Sequence, residues 1–143
     1  MKRLTLIFFM ASVALAGCKS GNKNGLSTDL VSNGKTPKMT FEEAFHDFGK
    51  ITEGELVSYT FDFKNTGDGD LLIADAHGQC SCTVPKWPKE IIHPGDKGSI
   101  NVSFDSNGKN GIVDKEVIIE ANTNPKITKL KIQADIQKAP EKK

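Results

Sequence analysis

The sequence predicts an all-β, immunoglobulin-like, seven-stranded antiparallel β-sandwich, and three observations carry that prediction. Beyond Met39, apolar and polar residues alternate with a period of two, as in strands that turn one face to a core and the other to water. Clusters of Gly, Asn, Asp and Pro interrupt the alternation at roughly the ten-residue spacing of turns in a sandwich. No segment beyond Met39 sustains the helical period between capping residues, so helices are not expected there.

The elements follow in order. Thr40 to Phe48 is rich in aromatics, with Phe41, Phe45 and Phe48. Val57, Tyr59, Phe61 and Phe63 then alternate with Ser58, Thr60, Asp62 and Lys64, which predicts one apolar and one wet face. Asn65-Thr66-Gly67-Asp68-Gly69 turns the chain. Leu71 to Ala76 is short and largely apolar, as expected of a strand buried near the centre of the sandwich. His77 to Asp96, with Pro85, Pro88 and Pro94, reads as one long loop, closed by a Pro94-Gly95-Asp96 turn. Gly98 to Phe104, Lys115 to Ala121 and Leu130 to Ile136 complete the set, each alternating. Lys115, Lys129 and Lys131 read as solvated charges on exposed strands, where they discourage aggregation between edges.

The chain before this pattern has a different character. Lys2 and Arg3 precede an apolar run from Leu4 to Leu15, about 12 residues, which suits a signal-peptide core and falls short of the ~20 needed to span a bilayer. Leu15-Ala16-Gly17-Cys18 looks like a bacterial lipobox. In lipoproteins with that signature the cysteine takes a diacylglyceryl thioether, the preceding segment is removed and the new amino terminus is acylated, so several chains hold the protein to the bilayer. Lys19 to Lys38 is dominated by Gly, Ser, Asn and Lys, the composition of a flexible spacer with a root-mean-square reach of roughly 25 Å. The expected organisation is therefore a lipoprotein signal peptide at 1–17, lipidated Cys18 and tether at 18–38, one sandwich domain at 39–137 and a charged tail at 138–143. Lys19 stands where an aspartate would favour inner-membrane retention, so the expected location is the outer membrane, facing the periplasm.

Charge excludes one function class. Loss of residues 1–17 removes only Lys2 and Arg3 and takes the formal charge from +1 to −1. The lysines are scattered rather than gathered in a basic stripe, so nucleic acid is not an expected partner.

Several short strings recur here as an ordered set: Phe45-His46-Asp47-Phe48-Gly49-Lys50-Ile51, Gly54-Glu55, Phe61-Asp62-Phe63-Lys64-Asn65-Thr66-Gly67, Leu71-Leu72-Ile73, Cys80-Ser81-Cys82-Thr83 and Pro94-Gly95-Asp96. The set, over about Met39 to Ile136, resembles the bacterial family of domain of unknown function 1573. That family consists largely of secreted and lipid-anchored proteins and resembles the immunoglobulin-like domains of major sperm protein and Hydin type. The resemblance implies the sandwich fold and an extracytoplasmic location, and it implies no reaction. Ser81 stands where glycine is common in the family, which leaves the cysteine spacing unchanged.

The chemically pointed residues are few. With Cys18 committed to lipid, Cys80 and Cys82 are the two cysteines left, in a compartment where thiols oxidise. Three readings stand side by side. The pair can form a local disulfide or redox couple, because residues two apart reach the required Cα separation of roughly 4.4–6.8 Å when the backbone bends. With His77 it makes His-x2-Cys-x-Cys, a soft donor set suited to Cu(I), or to zinc if His93 or His46 joins. It can also be two structural thiols or part of an intermolecular bridge. Trp87, between Lys86 and Pro88, is a candidate anchor for a partner, or a cover for the open end of the sandwich.

No Gly-x-Ser-x-Gly elbow, His-Glu-x-x-His, phosphate loop or dinucleotide fingerprint is present. Glu42 and Glu43, adjacent on an expected strand, would face opposite ways and cannot work as an acid–base pair. The expected function is a non-enzymatic, lipid-anchored module without cofactor that binds an envelope protein. The alternative is copper handling or thiol–disulfide chemistry through Cys80 and Cys82.

Overall fold

A computed structural model describes residues 34–138. The signal peptide, Cys18, the tether up to residue 33 and the tail from residue 139 lie outside the described residues.

Every regular element among the described residues is a strand: β1 Met39–Phe41, β2 Phe45–Thr52, β3 Leu56–Asn65, β4 Ile73–Gly78, β5 Thr83–Lys86, β6 Lys97–Asp105, β7 Gly111–Ala121 and β8 Ile127–Gln137. They form two four-stranded sheets, ordered β1-β3-β6-β5 and β2-β8-β7-β4. The inward positions of the alternating runs meet between the sheets: Phe61, Phe63, Ile100, Val102 and Phe104 from the first, Val117, Ile119, Leu130, Ile132 and Ala134 from the second, all buried. At about 1.5–3 kcal/mol for each fully buried large apolar side chain, this layer is the main source of stability.

The sandwich expected from the pattern is thus present, with eight strands rather than seven and one parallel pair. The aromatic run from Thr40 to Phe48 accounts for the parallel pair by dividing into two strands, and a further strand, β5, lies in the segment expected as a loop. Phe41 packs on Phe63 with ring centroids 5.4 Å apart, within the sheet of β3. Four residues on, the chain has crossed to the other sheet: the Glu42 amide donates to the Asp62 carbonyl, whereas the Ala44 carbonyl accepts from Lys131. β2 then runs parallel to β8. Glu42 and Glu43 occupy this crossing rather than a strand.

Leu71 and Leu72, read as strand residues, precede β4, and Leu71 instead exchanges two 2.9 Å backbone bonds with Ile92. β4 is an edge strand, not a central one. The loop expected from His77 to Asp96 contains β5, because Val84 and Lys86 face out while Thr83 and Pro85 face in. Lys129 and Lys131 lie on β8, inside its sheet, and pair with Glu116 at 2.9 Å and Asp114 at 3.1 Å. The edges are blunted by other means. Pro85 gives β5 no amide to offer at its position, and in β2 the Asp47 carboxylate accepts from Gly49 (φ +67°), at a break in the register with β8.

Chain order is already established before Met39. The Thr36 amide donates to Asp68 Oδ1 at 2.8 Å, and Pro37 is buried. Residues 35–38 lie so close over the β3–β4 turn that a Cβ on Gly67 would strike the backbone of Thr36 and Lys38. The glycines of that turn are therefore required by the strap that crosses them.

Candidate functional site

The cysteine pair sits where the chain passes from β4 to β5 and so from one sheet to the other. Sγ of Cys80 is bonded to Sγ of Cys82, with the Cα atoms 5.2 Å apart. The backbone bend this requires is held by bonds that do not involve sulfur. Gln79 donates its amide to the Glu116 carbonyl at 3.2 Å, Thr83 to the Cys80 carbonyl at 3.1 Å, and Asp105 to the Cys82 carbonyl at 2.9 Å. Gly78 and Thr83 are in such close approach that no side chain fits at Gly78. Thr83, 2% exposed, places its hydroxyl 3.7 Å from Cys80 Sγ and 3.8 Å from Cys82 Sγ. Cys82 packs against the core, and Ser81 at the tip is exposed. Because so little chain is closed, the bridge contributes only about 1.5 kcal/mol of chain entropy.

The other predicted site residues are dispersed. His77 is on β4 and directs Nδ1 to the Asp75 carboxylate at 2.8 Å, both side chains about half exposed. With the two sulfurs bonded to each other, neither is a free ligand. Among the described residues no group of three or more His, Cys, Asp and Glu side chains is placed to hold a metal ion. His46 stacks on Tyr59 at 3.5 Å and meets Phe48 edge-on, closing the seam between β2 and β3. Glu43 accepts from the Tyr59 hydroxyl, which raises the phenol above its usual 10.0. His93 bonds Asp70 at 2.8 Å at the opposite end of β6, and this bond, with the nearby charge of Asp70, raises it above 6.5. Trp87 is half-buried against the core, its Nε1 enclosed without a partner, and Lys89 Nζ lies 3.1 Å above its ring. Its indole thus covers the core rather than standing free.

Two residues that the sequence reading passed over mark the surface beside the disulfide. Leu56, 71% exposed, and Val84, 51% exposed, both point outward from the β1-β3-β6-β5 sheet. Leu56 is opposite Asp105, and Val84 is opposite Ser103, which in turn faces Ser58. Two strand spacings and an offset of two residues along the strands separate them, about 12 Å in all, with Ser58 and Ser103 between. The same face continues through Thr60, Asn101 and Ser99. The outer face of the other sheet carries the ion pairs of Lys129 and Lys131 together with an apolar residue, Ile112, that is 73% exposed. No sequence signal singled out Val84, because its strand was hidden in a proline-containing segment. Leu56 precedes the first inward residue of an otherwise regular run.

Residues 39–136 match the family described as protein of unknown function, DUF1573. The chain belongs to that family. This DUF1573 domain has its sandwich in common with several solved structures. A Porphyromonas gingivalis protein of unknown function superposes with a TM-score of 0.62 at 18% identity, over 71% of this chain and 47% of that one. A PapD-like domain of human CEP192 gives 0.59 at 8% identity, over 92% and 99%. The Vibrio cholerae protease VesB gives 0.57 at 15% identity, over 70% and 32%. At these identities the likeness is one of fold. The chain spans about half of the Porphyromonas protein and a third of the protease. No curated protein sequence matches the chain.

Proposed function

We propose that this protein is a lipid-anchored, outer-membrane module of the cell envelope that docks a periplasmic protein partner on the outer face of the β1-β3-β6-β5 sheet, at the disulfide end. The observation that carries the docking face is the pair of exposed apolar side chains, Leu56 and Val84, on one sheet face whose middle is made of Ser58, Thr60, Ser99, Asn101 and Ser103, with the charges of Asp62, Lys64, Lys86, Lys97 and Asp105 around them. The short side chains of that middle lose little rotamer entropy when covered. The rigid strands beneath it present it in one shape. The anchor is supported by Leu15-Ala16-Gly17-Cys18 and the charged, apolar segment before it.

A photo-crosslinking residue placed at Val84 tests the face, with the same residue at Asp114 on the opposite face as reference. A discrete adduct from position 84 and none from 114 supports the reading. Identical patterns, or no adduct at 84, overturn it. For the anchor, the unchanged protein incorporates labelled palmitate and Cys18→Ser abolishes that incorporation. Absence of label from the unchanged protein, or label that persists in Cys18→Ser, defeats that half of the proposal.

A further inference from the structure

Beyond docking, and independently of it, we propose that Cys80–Cys82 is a reversible dithiol–disulfide centre that exchanges with an external dithiol, with Cys80 as the sulfur attacked and Cys82 as the sulfur that leaves. Three features of the loop carry this. A bridge two residues long restrains little chain. The bend is instead fixed by the backbone bonds of Gln79, Thr83 and Asp105, so opening the S–S bond leaves both cysteines where they can close again. Finally, the sulfurs are unequal in surroundings: Cys82 packs on the core, while both lie against the buried Thr83 hydroxyl.

The exchange balances as follows. A thiolate of the external dithiol attacks Cys80 Sγ; a mixed disulfide forms, the Cys80–Cys82 bond breaks, and its electron pair stays on Cys82 Sγ. The Cys82 thiolate accepts a hydrogen bond from the Thr83 hydroxyl and then a proton from solvent. The second thiolate of the dithiol displaces Cys80, which leaves as a thiolate and is protonated in turn. Two electrons have passed to the cysteine pair, and the dithiol has become a disulfide. Run backwards, the reduced pair reduces a disulfide presented to it. Thr83 is a positioning residue here, since it touches the reacting sulfurs without exchanging a bond.

Full chain carrying Cys18→Ser, in which Cys80 and Cys82 are the only thiols, is treated under native conditions with dithiothreitol, acid-quenched, alkylated and weighed intact. Two added alkyl groups are expected, with the far-ultraviolet spectrum unchanged and a cooperative thermal transition retained; transfer to oxidised glutathione restores the intramolecular bridge. With either cysteine replaced by serine, Cys80 alone forms a mixed disulfide with oxidised glutathione faster than Cys82 alone. Thr83→Val slows reduction by about tenfold, the effect of losing a hydrogen bond to a charged sulfur. Reduction that occurs only as the chain unfolds, a reduced chain that does not re-form the bridge, or faster reaction at Cys82 overturns the proposal. If Thr83→Val does not fold, the two serine variants still decide the order of attack.

Discussion

The two ends of the sandwich close in different ways. At one end the chain is locked by asparagines. Asn65, fully buried, donates to the carbonyls of Gly69 at 2.8 Å and Ile92 at 2.9 Å and accepts from Gly67 at 3.1 Å and Lys38 at 3.3 Å. Asn122 does the same for Leu72 and Asp70. One side chain at the end of β3 thus ties the N-terminal strap, the β3–β4 turn and the approach to β6. At the other end, where Cys82 meets Asp105, a short disulfide loop sits beside exposed Leu56 and Val84. A fully satisfied buried polar hub specifies one geometry and is costly to disturb. A loop held by backbone bonds, with a weak bridge across it, leaves side chains at its surface free for chemistry or contact.

Breaking the locked end should have the largest effect. Asn65→Leu removes four hydrogen bonds and strands two amides and the Gly69 carbonyl, while the Ile92 carbonyl keeps the Leu71 amide, for an expected loss of about 3–5 kcal/mol measured by urea denaturation. A loss below about 1 kcal/mol would show that the end is not held by its polar hub. Next is Gly98→Ala. The added Cβ lies 2.5 Å from the Phe63 ring across the strand pair, and overpacking of this kind costs about 1–3 kcal/mol. In a domain of this size each kcal/mol lowers the melting temperature by about 4–8 °C. Cys80→Ser with Cys82→Ser should cost no more than about 1.5 kcal/mol; a loss as large as that of Asn65→Leu would erase the contrast between the ends.

The smallest effect concerns pH at the locked end. The bond to Asp70 raises His93, so the imidazolium form is favoured in the folded protein. The Asp70–His93 tie is therefore complete below 6.5 and is lost as pH rises through the elevated value. In an NMR titration, Asp70→Asn should return the His93 midpoint toward 6.5. No change would mean that the tie does not form in solution.

How much could be read beforehand depended on whether neighbours or distant segments decide a position. Val57 to Phe63 announces β3 and its buried face by alternation alone, and Gly98 to Phe104 does so for β6. The cysteine spacing pointed to the place where, among the described residues, a disulfide forms. Asn65 looked like an ordinary turn residue, because its four partners come from positions 38 to 92, and nothing local reports them. Strand β5 was hidden by Pro85 and Pro88, which signal a loop unless the missing amide faces an open sheet edge. His77 bonds Asp75 and Trp87 packs on the core, contacts that the residue types alone do not announce.

What the sequence determined alone was the class of the fold: side-chain alternation follows directly from the two-residue repeat of a strand, so the chain itself states which residues must meet in a core. Which sheet each strand joins was settled only by the tertiary structure. Phe41 and His46 lie in one aromatic run yet pack from opposite layers, and the parallel pairing of β2 with β8 depends on a strand some eighty residues downstream. Surface position follows the same logic. Leu56 and Val84 become neighbours only because β6 lies between their strands, and hydrogen bonding between strands carries no trace in the order of the residues.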